Sequence, residues 1–279
     1  MTWTNHPDVE VRLGEIAVGV CQFSPGDDSR NNIDAIRRLA GTAAARGARL
    51  IVFPEYSSFF VHPLSEKFLA AAETLDGEFV VALARLAEDL EVFIVAGLVE
   101  KAEDPALFSN TLVAVAPDGR LVSTYRKQHL YDAFGAQESD WVAAGSLDEP
   151  QTFDVDGVTV GMQTCYDIRF PEVTRRLVDA GADVVVVPAE WVRGPLKEHH
   201  WRTLLVARAI ENTIYVAAAD HIPPIGVGAS MIIDPMGVVI SEAGEQEDVS
   251  VGWISADRIT AVRGVNPSLA SRRYRVEPR

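Results

Sequence analysis

The chain echoes its own pattern, and that echo limits the folds open to its 279 residues more than any other feature. A strand-like run over 16–23 leads to a helical stretch over about 31–46. Next comes Gly47-Ala48-Arg49-Leu50-Ile51-Val52-Phe53-Pro54-Glu55. A helix over 78–90 and a strand over 92–99 follow. A hairpin closes the half, 111–116 with 121–125, turned at Pro117-Asp118-Gly119. The second half runs the same course. It has a strand over 158–164, a helix opened by Pro171, then Gly181-Ala182-Asp183-Val184-Val185-Val186-Val187-Pro188-Ala189-Glu190. A helix over about 196–211, a strand over 213–219 and a hairpin (229–233 with 238–241) complete it.

Strands alternating with helices imply parallel pairing, and the trailing hairpins add antiparallel strands. Several strands are almost wholly apolar, so both faces need cover. The economical α/β architecture is a four-layer α-β-β-α sandwich of two similar halves. No Gly/Ser/Pro-rich linker interrupts the chain, which predicts one domain over 1–279. Residues 265–279 form a polar tail, either disordered or an arm reaching a neighbouring subunit.

Composition narrows the function. With 48% hydrophobic residues the chain can bury a full core, and its net charge of −15 repels phosphate backbones and anionic lipid. Nucleic acid and membrane are therefore excluded as expected partners. Residues 1–10 are polar and carry no secretory pattern, and no apolar run approaches the length of a membrane span. Two cysteines, Cys21 and Cys165, make no disulfide framework. Together these features predict a cytoplasmic protein.

Three residues able to do chemistry fall at ends of adjacent elements. Glu55 ends the second strand of the first half, Lys127 follows the first hairpin, and Cys165 ends the first strand of the second half. Ligands collect outside the carboxyl ends of parallel strands, so base, cation and thiol are expected on one rim. The turn-like residues after Cys165 suit an elbow that presents a side chain, whereas Cys21 sits within its strand and reads as core. A glutamate at such a rim would have a raised pKa suited to base work. His62 and His129 have no partner at metal-ligand spacing, and adjacent His199 and His200 are poorly placed for joint coordination. No Gly-rich nucleotide-binding loop is present. No metal or organic cofactor is expected.

The motifs Phe53-Pro54-Glu55, Lys127-Gln128-His129-Leu130-Tyr131-Asp132 with Glu138, and Cys165-Tyr166-Asp167-Ile168-Arg169-Phe170-Pro171-Glu172 stand in one order. His200-Trp201 and Ala207-Arg208-Ala209-Ile210-Glu211-Asn212 follow. In this combination the chain resembles the nitrilase superfamily of carbon–nitrogen hydrolases over nearly its whole length. The resemblance implies the same sandwich, assembled as a homodimer or higher homo-oligomer. It also implies an amidase with a Glu-Lys-Cys triad, in which Glu55 is base, Cys165 nucleophile and Lys127 oxyanion partner. Glu138 would help hold the lysine and substrate, and the Tyr166 N–H would meet the oxyanion.

Asp-x-Arg-Phe-Pro-Glu after the cysteine is similar to the omega-amidases and deaminated-glutathione amidases. There the arginine matching Arg169 would receive a substrate carboxylate, and Tyr131, Tyr166, Glu190 and Trp191 would line the pocket. A salt bridge from Arg169 to Asp167 or Glu172 is the other reading. Glu190 departs from the omega-amidase pattern and would penalise an anionic substrate unless Arg169 or Arg193 offset it. Neutral aliphatic amides therefore stay open as substrates. Rival readings are an N-carbamoyl hydrolase, a true nitrilase, and a non-catalytic scaffold of the same fold.

Overall fold

A computed structural model of the chain describes residues 15–148 and 150–279. The polar opening, residues 1–10, on which the expectation of no secretory signal rests, lies outside them. The first half contributes β1 (Glu15–Gln22), β2 (Leu50–Val52), β3 (Phe93–Lys101), β4 (Phe108–Val115) and β5 (Leu121–Arg126). The second contributes β6 (Thr152–Val155), β7 (Val158–Met162), β8 (Val184–Pro188), β9 (Tyr215–Ala219), β10 (Met231–Ile233) and β11 (Val239–Glu242). A last strand, β12 (Asp248–Ser255), returns to pair antiparallel with β1. The two six-stranded sheets run β12-β1-β2-β3-β4-β5 and β11-β10-β9-β8-β7-β6.

The echo read in the sequence is a structural repeat. β1, β2 and β3 are parallel, and β4 and β5 complete the sheet antiparallel. β7, β8 and β9 are likewise parallel, with β10 and β11 antiparallel. Strand side chains alternate faces, so each strand feeds two cores. Val18, Val20, Leu50 and Val52 face Val160, Met162, Val184 and Val186 between the sheets. On the outer face of the first sheet, Cys21, Ile51 and Ile94 pack under α1 (Ser29–Ala45) and α3 (Glu78–Leu90). The short α2 (Glu66–Ala71) lies between those helices in sequence. Outside the second sheet, Val185, Val187 and Val216 pack under α4 (Pro171–Asp179) and α5 (Lys197–Asn212). The result is the α-β-β-α sandwich.

Glycine marks the repeat at equivalent places. A Cβ on Gly19 of β1 would press on Ala43 and Ala48, and one on Gly161 of β7 on Leu177 and Ala182. Each glycine lets a helix approach its strand closely.

Four elements went unread in the sequence: β6, β12, α2 and α6 (Ala256–Val265). The missed β6–β7 hairpin turns at Asp156 and Gly157, both at positive φ, a turn type that Asp-Gly favours. β12 is defined by pairing with a strand more than two hundred residues earlier, which local pattern does not carry. α6 has weak amphipathic periodicity; only Ile259 and Val262 are buried. Beyond α6 the tail folds back on its own chain. Arg272 pairs with Asp179 of α4, and Leu269 packs against the outer core of the second sheet. No helix among the described residues is long and apolar enough to cross a membrane.

Candidate active site

Cys165 lies where β7 gives way to a tight 3-10 turn, Cys165–Arg169, ahead of α4. Its φ is +45°, a left-handed conformation costing a non-glycine residue about 1–2 kcal/mol. The neighbouring structure fixes that turn. Asp167 is fully buried, and its carboxylate accepts from the Thr164 and His129 N–H groups, His129 Nδ1 and the Tyr125 hydroxyl. From the far side Arg208 of α5 donates twice to the Ile168 carbonyl, at 3.0 and 2.8 Å. The elbow is held from both ends.

Glu55 follows β2 and is 1% exposed. Its Oε1 accepts from Lys127 Nζ at 3.0 Å and from Asn110 Nδ2 at 2.6 Å; its Oε2 accepts from the Glu190 N–H at 2.6 Å. Lys127, as deeply buried, also reaches Glu138, whose Oε1 accepts from the Tyr56 hydroxyl and whose Oε2 accepts from the Tyr131 N–H. Burial works against the Lys127 ammonium, but Glu138 and Glu55 outweigh it and hold its pKa well above the ordinary lysine value. Breaking so buried an ion network by removing one member costs far more than forming it gains.

The backbone of Glu190 links the two halves of the site. Its N–H meets Glu55, while its carbonyl accepts from Cys165 Sγ at 3.5 Å. Burial first, then the Glu55 charge, push the Cys165 thiol well above its usual pKa, against the lowering pull of Lys127. The resting sulfur is therefore a thiol, and nucleophilic use of it needs a base close by. Cys21 is also pushed up by burial, but it sits in the outer core of the first sheet.

A cavity of about 790 Å³ opens onto this cluster. Glu55, Lys127, Glu138, Cys165, Tyr131, Tyr166, Glu190 and Trp191 all line it, so the structure brings together eight of the nine residues singled out in the sequence. The ninth, Arg169, stands behind this wall with its guanidinium 4.8 Å from the Trp191 ring centre. It forms neither salt bridge considered for it. Asp167 is spent on the elbow, and Arg169 Nε and Nη2 are buried without a hydrogen-bond partner among the described residues. Glu190 lines the cavity, but burial, reinforced by Glu55, raises its carboxyl well above the carboxylate range. That favours its neutral, proton-bearing form and softens the penalty on anions expected from a carboxylate there.

Sequence reading missed Tyr56, Asn110, Lys197 and His221. His221 Nε2 meets the Glu55 carbonyl at 2.7 Å, fixing the backbone at Glu55. Asn110 is a fully buried amide within the polar run Ser109-Asn110-Thr111 of β4, and nothing in that run sets it apart from its neighbours. Among the described residues no group of three His, Cys, Asp or Glu is arranged to hold a metal ion.

A buried thiol on a strained elbow stands beside a carboxylate–lysine–carboxylate chain at the rim of this sandwich, groups able to form and break an acyl–sulfur bond. Residues 17–264 match the carbon-nitrogen hydrolase family, and the chain belongs to it. The chain is 37% identical to the deaminated glutathione amidase of Escherichia coli O157:H7, over 92% of this chain and 97% of that protein. With the omega-amidase NIT2-B of Xenopus laevis it shares 30% identity over 95% of this chain and 99% of the relative. The crystal structure of Saccharomyces cerevisiae Nit3, a member of branch 10 of the nitrilase superfamily, superposes with a TM-score of 0.82. That match is at 25% identity and covers 94% of this chain and 97% of that one.

Proposed function

We propose that this hydrolase is a cysteine-dependent amidase acting on an amide whose acyl part ends in a carboxylate, through a thioester on Cys165. The observation that carries the reading is the Glu190 backbone, whose N–H bonds Glu55 and whose carbonyl bonds Cys165 Sγ, with Lys127 on the same Glu55 oxygen as Asn110. Glu55 takes the thiol proton as Cys165 sulfur attacks the amide carbonyl. The oxyanion meets the Lys127 ammonium and the Tyr166 N–H, donors already in place before the charge develops. Collapse breaks the C–N bond, and Glu55 passes its proton to the departing amine. Water then attacks the thioester with Glu55 again as base, releasing the acid and restoring the thiol. Glu138 and Tyr56 keep Lys127 aimed.

The names of the two relatives support an acid-bearing substrate, a deaminated glutathione or an omega-amide such as 2-oxoglutaramate. The cavity is roomier than a five-carbon amide needs, which leaves space for an amine larger than ammonia. We place the enzyme in the cytoplasm as a single domain. Exposed Met236, Val238, Ile240 and Trp253 offer apolar surface for a homodimer. Cys165→Ala should abolish release of amine from a panel of amides, ureido acids and nitriles, with stability kept within about 1 kcal/mol. Cys21→Ala should retain turnover. Substantial hydrolysis by purified Cys165→Ala would overturn the nucleophile, and preference for ureido acids or nitriles would overturn the substrate class.

A further inference from the structure

Lys197 is the first residue of α5 and only 6% exposed, yet its side chain lines the catalytic cavity. Its Nζ donates to the Tyr131 hydroxyl at 2.6 Å and lies 4.1 Å from the Phe134 ring centre and 5.7 Å from that of Trp191. No carboxylate among the described residues forms an ion pair with it. The position is a costly one for a cation. A helix N-terminus repels positive charge, burial removes its water, and a second cation, Arg169, shares the Trp191 and Phe134 rings. Burial and the Arg169 charge together push the Lys197 ammonium below the ordinary lysine range. Two unpaired cations thus crowd one aromatic rim on a chain of net charge −15. Of the other cations lining the cavity, Lys127 is paired with Glu55 and Glu138, and Arg193 is exposed and engaged by Glu245.

An ammonium has three protons to donate. One is used on Tyr131, which fixes the direction of Nζ, and two remain for a ligand oxygen pair. We propose that Lys197 is the specificity-determining cation of the site, receiving the terminal carboxylate of the substrate's acyl chain on Nζ. Arg169, behind the Trp191 ring, is a positioning residue that reinforces the positive potential without touching the ligand. The proposal rests on the amidase reading above, and it moves the recognition of an acid from Arg169 to Lys197.

Glutaramate and pentanamide, an acid-bearing amide and a neutral one of matched length, test it. For the wild-type enzyme the ratio of their kcat/KM values should favour glutaramate. Lys197→Met should lower that ratio about 30-fold or more, with the smaller loss on pentanamide. Lys197→Arg should restore part of it, and Arg169→Met should lower it less than Lys197→Met does. An unchanged ratio in Lys197→Met, or a larger fall in Arg169→Met, overturns the assignment. Calorimetric binding of both amides to Cys165→Ala protein needs no turnover and no change at Lys197. There glutaramate should bind at least tenfold tighter, and the double variant Cys165→Ala/Lys197→Met should lose that preference. Equal binding of the two amides to Cys165→Ala overturns the proposal even if Lys197→Met does not fold. A wild-type enzyme that binds glutaramate selectively but hydrolyses neither amide would sink the amidase reading alone.

Discussion

Around Cys165 the carboxylates of Glu55, Glu138 and Asp167 and the Lys127 ammonium each have partners that set their direction, and Glu190 shows how much one residue can carry. Its backbone joins base to thiol, while its carboxyl is buried with Oε1 unpartnered and its pKa raised. A carboxyl with a raised folded-state pKa contributes its stability in full below about pH 4.5, the ordinary value, and loses it as pH climbs toward the folded value. Glutamine has the shape of the neutral acid and does not ionise. Glu190→Gln should therefore raise Tm more at pH 8 than at pH 5, as read by scanning calorimetry at the two pH values. Equal shifts at both would mean that the Glu190 carboxyl is ionised in the fold.

At the scale of the element, the site is assembled by strand ends whose spacing the sheets impose. β3 runs parallel to β2, and Gly97 of β3 lies directly against the peptide that joins Glu55 to Tyr56. A Cβ there would come within 2.7 Å of the Glu55 carbonyl carbon and nearer still to the Tyr56 nitrogen. Neither backbone can yield easily, because Tyr56 is at φ +57° and its ring is wedged among Phe60, Phe68 and Phe108. Gly97→Ala should displace the base by a fraction of an ångström and lower kcat about 100-fold, with the fold retained by circular dichroism. Full activity in that variant would show that Glu55 need not be held so closely. Arg208 makes a matching point on the second sheet. It sits in the conspicuous Ala-Arg-Ala-Ile-Glu-Asn motif, touches nothing in the cavity, and acts by gripping the Ile168 carbonyl of the elbow.

Across the whole molecule the two halves meet at the site, since His221, in the loop after β9, supports Glu55 of the first half. Burial lowers the His221 pKa from 6.5 to about 4, so the ring stays neutral in the fold. The unfolded chain takes up that proton first, and stability falls as pH drops from about 6.5 toward 4, by up to roughly 3 kcal/mol. Urea unfolding should show this acid slope, and His221→Gln should flatten it; an unaltered slope would assign acid lability elsewhere. Legible along the chain were the order and type of the long elements, the repeat, and the residues of the Glu-Lys-Cys cluster. Those signals are local, being apolar runs, prolines, turn dipeptides and short motifs, and each can be read within a dozen residues. Tertiary structure alone decided the rest. β12 finds β1 across most of the chain, Asp167 turns from Arg169 to the elbow, and Lys197, seventy residues from Lys127, arrives at the same cavity wall. Which charges are paired, neutral or left unpaired depends on who is buried beside whom, and that is a property of the packed sheets rather than of any stretch of chain.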